Sequence, residues 1–155
     1  MVNRICLACV AQRLYRRETV VPPNQQPARL ALVVEDDAAI RLMLRKILEH
    51  SGLFVVEAAT GHAAIRFLTD HKPDFICLDL MLPELSGFDI CAFIRAHPRY
   101  DHVPVLIISG RQLPEDQAQA RELGASAYLV KPFKPEQLSR CVLELLPQDG
   151  RATGR

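Results

Sequence analysis

No apolar run in this 155-residue chain is longer than a β-strand. A membrane-spanning helix needs about 20 apolar residues in succession, so none is expected. No secretory signal peptide opens the chain, and its cysteines (Cys6, Cys9, Cys77, Cys91 and Cys141) are odd in number. Together these point to reduced thiols in a cytoplasmic protein. Cys77, Cys91 and Cys141 each fall in an apolar pattern and read as small core residues. An excess of charge is also missing: the formal net charge is +1, which neither requires nor excludes a polyanionic partner. The histidines show no metal-ligand spacing. The single CLAC motif, Cys6 to Cys9, has no second ligand pair and no βαβ setting.

The charge that is present is unevenly placed. Residues 1–29 carry Arg4, Arg13, Arg16, Arg17 and Arg29 against Glu18, a net +4, which leaves the other 126 residues at −3. Within this basic extension ICLACVAQRLYRR is either a short amphipathic helix or unstructured, and its arginines read as a solvated segment. VVPPNQQP reads as a linker, because its paired prolines block helix and strand alike. The expected organisation is a basic extension over 1–29, one folded domain over 30–147 and a tail over 148–155.

From Leu30 the pattern alternates. Strand-length apolar runs (LALVV, LFVVE, DFICLD, VPVLIIS and AYLV) alternate with helical segments (AAIRLMLRKILEH, GHAAIRFLTDH, GFDICAFIRAH, PEDQAQARELG and PEQLSRCVLELL). This predicts a (βα)5 α/β domain: a doubly wound, parallel, five-stranded sheet with helices on both faces. The central strands are apolar throughout, as a sheet covered on both sides requires.

In such sheets ligands bind beyond the carboxyl ends of the strands. Strand one ends in Glu35-Asp36-Asp37, strand three in Asp79, strand four in Ser109 and strand five in Lys131-Pro132. A lone strand-end aspartate serves as a cap, a metal ligand or a reactive group. Several carboxylates meeting a lysine and a hydroxyl favour the last two. Two carboxylates about 5 Å apart repel by roughly 3 kcal/mol at an effective dielectric near 20. A hard divalent cation such as Mg²⁺ offsets this with carboxylate, carbonyl and water ligands. A carboxylate beside Mg²⁺ and a lysine is placed to attack a phosphoryl group. Asp37 reads as a helix N-terminal acid.

LVVEDDAAIR, ICLDLMLPELSG, VPVLIISG and GASAYLVKPF, in this order and spacing, resemble a two-component response regulator receiver domain of the stand-alone, chemotaxis-regulator-like kind. The resemblance runs from about Leu30 to Leu146. It implies a flavodoxin-like strand order 2-1-3-4-5 and roles for matching positions. Asp79 is the aspartate phosphorylated by a histidine kinase or phosphotransfer protein. Asp36 is the direct Mg²⁺ ligand, Glu35 its acidic neighbour acting through water, and Met81 the position that offers a backbone carbonyl to the metal. Lys131 pairs with the phosphoryl group, and the Lys131–Pro132 bond is cis. Ser109 is the hydroxyl that moves to the phosphoryl group and Tyr128 the aromatic that swings inward. Met81 and Arg111 flank the path of the water that removes the phosphoryl group; Met81 only obstructs it, and the long Arg111 side chain is suited to covering it. No activity is implied beyond Mg²⁺-dependent self-phosphorylation and self-dephosphorylation. Output passes through the face built from PEDQAQARELG, AYLV and PEQLSRCVLELL to a downstream protein of unknown identity, within a phosphorelay.

Departures from the family pattern carry information. Ser86 stands where an aspartate is frequent, and Gly110 where alanine is commoner. GASAY lacks the paired acids typical of winged-helix transcription factors. Only PQDGRATGR follows Leu146, so direct DNA binding is not expected, while a phosphorylation-dependent dimer stays open. Two other readings remain: a receiver-like scaffold that works without phosphorylation, and the receiver fragment of a longer regulator. The intact set Glu35, Asp36, Asp79, Ser109 and Lys131 favours the phosphorylated switch.

Overall fold

The computed structural model describes residues 29–146. The expectations for the basic extension, the linker, Cys6 and Cys9, and the tail lie outside the described residues. Within them the chain forms β1 (Leu30–Val34), α1 (Ala38–His50), β2 (Phe54–Ala58), α2 (Gly61–Asp70), β3 (Phe75–Asp79), α3 (Gly87–Arg95), β4 (Val105–Ser109), α4 (Pro114–Glu122), β5 (Ala127–Val130) and α5 (Pro135–Leu145). All strand pairs are parallel and the sheet order is β2-β1-β3-β4-β5.

Alternation along the strands sorts side chains onto two faces. Ala31, Val33, Phe75, Cys77, Leu106 and Ile108 pack beneath Leu44 and Leu48 of α1 and Leu138 and Val142 of α5. The opposite set, including Leu32, Val34, Ile76, Leu78 and Ile107, packs beneath α2, α3 and Ala120 of α4. β1, β3 and β4 lie at the centre and are buried almost throughout, whereas the edge strand β2 leaves Phe54 and Glu57 exposed. A fully buried leucine or isoleucine contributes about 2 kcal/mol, so the two cores hold the strand ends rigidly in register.

Local signals start the helices. Asp37 caps α1, accepting from the amides of Ala39 and Ile40, both at 2.9 Å. Thr60 caps α2, and Ser86 and Asp89 form a capping box on α3. α4 and α5 open on Pro114 and Pro135.

The structure corrects some boundaries. β2 starts one residue later than LFVVE, because Leu53 turns into the core while Phe54 pairs with Leu30. α3 stops at Arg95, since His97 is extended ahead of Pro98. A single 3-10 turn, Pro98–Tyr100, then buries Tyr100, whose hydroxyl donates to the Leu68 carbonyl. Cys77 and Cys91 are buried as expected, but Cys141 and Leu145 are only half-buried at the rim of the core.

At the amino end of β4, opposite the functional edge, Arg95 acts as a clamp. Its guanidinium donates to the carbonyls of Gly124 (3.0 Å), Tyr100 (2.7 Å) and Val103 (2.9 Å).

Candidate functional site

The parallel register brings the strand ends together. Glu35, Asp36 and Asp79 each place a carboxylate oxygen within 4.8 Å of the others. Glu35 and Asp79 are buried, at 1% and 4% exposure, and Asp36 is exposed. The Lys131 ammonium donates to Glu35 Oε2 and Asp79 Oδ2, both at 2.7 Å. The other Asp79 oxygen accepts the Met81 amide at 2.9 Å. The peptide bond after Lys131 is cis.

One ammonium therefore pairs with two of the three clustered carboxylates. Burial pushes the Glu35 carboxyl above its usual range, and the charge of Asp79 adds to that, against hydrogen bonds from Lys131 and the Asp37 amide. Burial acts on Lys131 in the opposite sense, but its hydrogen bonds to Asp79 and Glu35, together with their charges, outweigh it and raise the ammonium. The two shifts are compatible. Lys131 has two anions to itself, whereas Glu35 shares one cation with a like-charged neighbour. The cluster remains an excess of hard oxygen donors, a set that suits a divalent cation of the Mg²⁺ type.

Sequence near the site is constrained by close approach. A Cβ on Gly87 would stand 2.3 Å from the Asp79 carbonyl oxygen and 2.6 Å from Leu80 Cα. Only glycine lets α3 start against the strand end that carries Asp79. The Gly87 amide donates to the Leu80 carbonyl at 3.1 Å. Met81 follows the strand end and is 61% exposed beside the cluster.

On the β4 side, Ser109 is fully buried and its Oγ accepts the Arg111 amide at 3.2 Å. The Arg111 carbonyl accepts the Tyr128 hydroxyl at 2.8 Å. Tyr128 is half-buried, and burial raises its phenol. The Arg111 guanidinium pairs with Asp116 at 2.7 Å and lies 6.0 Å from the centre of the Phe88 ring. Asp116 is 4% exposed, and its second oxygen has no hydrogen-bond partner.

Residues 31–143 match the model of the response regulator receiver domain. The chain belongs to this family. Among curated proteins this receiver domain is 38% identical over 133 residues to the alkaline phosphatase synthesis transcriptional regulatory protein SphR of Synechococcus elongatus, covering 79% of this chain and 51% of that one. It is 39% identical over 111 residues to the phosphate regulon transcriptional regulatory protein PhoB of Escherichia coli, covering 72% and 48%. The chain thus spans about half the length of these curated relatives. Among solved structures, the chemotaxis response regulator CheY4 of Vibrio cholerae superposes with a TM-score of 0.73 at 30% identity, covering 77% of this chain and all of that one. Family and fold agree with the sequence reading, and the receiver domain makes this a two-component signalling module. No helix among the described residues is long and apolar enough to cross a membrane.

The structure brings Glu35, Asp36, Asp79 and Lys131 into one cluster, with Ser109, Arg111 and Tyr128 linked in a chain beside it. Met81 contributes its amide to Asp79. Two residues escaped the sequence reading. PEDQAQARELG reads as a polar helix, yet Asp116 in its first turn is buried under Arg111. Arg41 closes the motif LVVEDDAAIR but is given no role by the sequence, yet it bonds the backbone of the acidic loop. The signal for Arg41 is its place one helical turn beyond the Asp37 cap, where a long side chain folds back over the helix start.

Proposed function

We propose that this receiver domain is a phosphorylation-controlled switch. Asp79 takes a phosphoryl group from a phosphohistidine of a histidine kinase or phosphotransfer protein. A carboxylate oxygen attacks phosphorus, the P–N bond breaks, and the histidine nitrogen takes a proton. Mg²⁺ supplies the positive charge that the transferring oxygens need. Glu35, Asp36, Asp79 and the Met81 carbonyl would hold it. Lys131, already bonded to Asp79, turns to the phosphoryl group. The observation that carries this reading is the cluster itself: three carboxylate oxygens within 4.8 Å at a parallel-sheet edge, two of them bridged by one lysine.

Ser109 then bonds the phosphoryl group, its loop moves inward, and Tyr128 follows, so the α4-β5-α5 face changes shape. A downstream protein, or a second copy of the chain, reads that face. The receiver domain is read as residues 30–147, of which residues 30–146 are described, and the signal passes by protein contact without DNA binding by this domain. SphR and PhoB are named as transcriptional regulators, and only about half of their length is matched.

The test is incubation with acetyl phosphate and Mg²⁺, read by intact-mass and peptide mass spectrometry. One phosphoryl group is expected on Asp79, none without Mg²⁺, and none in Asp79→Asn. Uptake by Asp79→Asn at the wild-type level within the acidic cluster would refute the assignment. No uptake by any form, including with a panel of kinases, would favour the unphosphorylated scaffold.

A further inference from the structure

The acidic loop between β1 and α1 carries Asp36, whose carboxylate is exposed and must be aimed by its backbone. That backbone is held from above. Arg41 Nη1 donates to the Glu35 carbonyl at 2.8 Å and to the Asp36 carbonyl at 3.0 Å. Both hydrogens of one nitrogen are therefore spent on two successive peptide groups of the metal-binding loop.

Arg41 is itself positioned. Its Nε lies 3.5 Å from Glu57 Oε1. The second oxygen of Glu57 accepts Arg45 Nη1 at 2.9 Å, and Arg45 Nε stands 3.6 Å from Glu49. Glu57 sits on the edge strand β2, and the other three side chains on α1. The Arg41 side chain is only 19% exposed, and a half-buried, multiply bonded guanidinium is fixed far better than a solvated one. The chain Glu57–Arg41–loop backbone thus ties the outer edge of the sheet to the cluster.

We infer that Arg41 is a positioning residue for the divalent-cation site, oriented by Glu57 and acting through the main chain of Glu35 and Asp36. The inference rests on the metal-binding reading proposed above. It has a sign that electrostatics alone does not share. Through space, a cation near a Mg²⁺ site opposes binding, so removing Arg41 for its charge alone would tighten Mg²⁺. Removing it as the brace of the loop weakens Mg²⁺, by about tenfold if it acts as outer-shell partners of ligands do.

The experiment is a Mg²⁺ titration followed by calorimetry or by NMR shifts of the Glu35–Asp37 amides. It compares wild type with Arg41→Met, Arg41→Lys, Glu57→Gln and the Arg41→Met/Glu57→Gln double variant. Thermal unfolding in EDTA is recorded for each. Arg41→Met should raise the Mg²⁺ dissociation constant about tenfold. Arg41→Lys should fall between, since an ammonium keeps the charge but not the fork. Glu57→Gln should raise the constant by a smaller factor, and this effect should vanish in the Arg41→Met background. Arg41→Met binding Mg²⁺ as tightly as wild type, or more tightly, would overturn the inference while leaving the metal site standing. So would an undiminished Glu57→Gln effect without Arg41. If Arg41→Met does not fold, Glu57→Gln decides: an unchanged dissociation constant overturns the inference. A wild type that binds no Mg²⁺ overturns the metal-site reading and the inference with it.

Discussion

The Tyr128 hydroxyl donates to the main-chain carbonyl of Arg111, and the Arg111 amide donates to the hydroxyl of Ser109. The two proposed switch residues are thus joined through one residue of the intervening loop. When Ser109 turns to a phosphoryl group on Asp79, the Arg111 amide loses its acceptor and the tie to Tyr128 is strained. Beryllofluoride with Mg²⁺, a stand-in for the phosphoryl group, should therefore change amide exchange over residues 110–116 and along α4-β5-α5. Tyr128→Phe should speed exchange in that loop without any phosphate analogue. One neutral hydrogen bond of about 1 kcal/mol corresponds to roughly fivefold. Identical exchange maps with and without beryllofluoride would remove this mechanism.

Glu35 gives a pH prediction for the metal-free protein. Its carboxyl is raised chiefly by burial, so folding favours the protonated form. A raised group contributes stability that is present below its ordinary pKa of 4.5 and is lost as pH rises through the folded value. Glu35→Gln escapes that loss. In EDTA at neutral pH it should melt higher than wild type, and the difference should vanish below pH 4.5. In Mg²⁺ the order should reverse. Wild type melting above Glu35→Gln in EDTA would contradict the argument.

Gly87 tests how tightly α3 is seated on the strand end. A methyl group there overlaps the Asp79 carbonyl, and the helix start must shift. Gly87→Ala should cost about 2 kcal/mol or more in urea unfolding. Phosphoryl uptake by the folded fraction should fall as well, because the Asp79 backbone is what the methyl group strikes. Urea midpoints that agree within error would show that the loop yields.

The sheet, its helices and its two faces were legible because each central strand is buried on both sides and every helix but the polar α4, marked by Pro114 and Gly124, repeats its apolar residues at helical spacing. The cluster was legible because parallel strands deliver their final residues to one edge, so Glu35, Asp36, Asp79, Ser109 and Lys131 could be placed together without coordinates. The bonds that aim them were not. Arg41 acts on main-chain carbonyls, which leave no trace in side-chain pattern. Asp116 is buried by Arg111 and by the seating of α4, which nothing in a polar helix segment marks. Tyr100 lies in a 3-10 turn too short to show a period.

We propose that Met81 and Arg111 set the lifetime of the phosphoprotein. A thioether orients water poorly, so Met81→Asn should speed phosphate release. The sequence alone suggested that Arg111 covers the site. In the structure its guanidinium is engaged by Asp116 and lies near Phe88. Arg111→Glu would set a second carboxylate against buried Asp116 and disturb α4, so Met81→Asn is the cleaner variant. Release is followed as phosphate freed from purified phosphoprotein. Met81→Asn losing phosphate no faster than wild type would refute the assignment of Met81 to the water path.

The Arg95 clamp bears on how the output face can move. It fastens the Gly124 carbonyl just past the end of α4, where Gly124 itself adopts a φ of 85° and a Cβ would lie 2.8 Å from the guanidinium. Cys91 adds a contact to the Leu123 carbonyl at 3.4 Å. In the proposed switch the far end of α4 is therefore the pivot, and the end where Asp116 pairs with Arg111 is the arm that moves. A displacement delivered at Asp116 would tilt the helix, most at Pro114 and Glu115 and least at Glu122. A partner gripping the first turn would then sense the full stroke, and one gripping the last turn almost none.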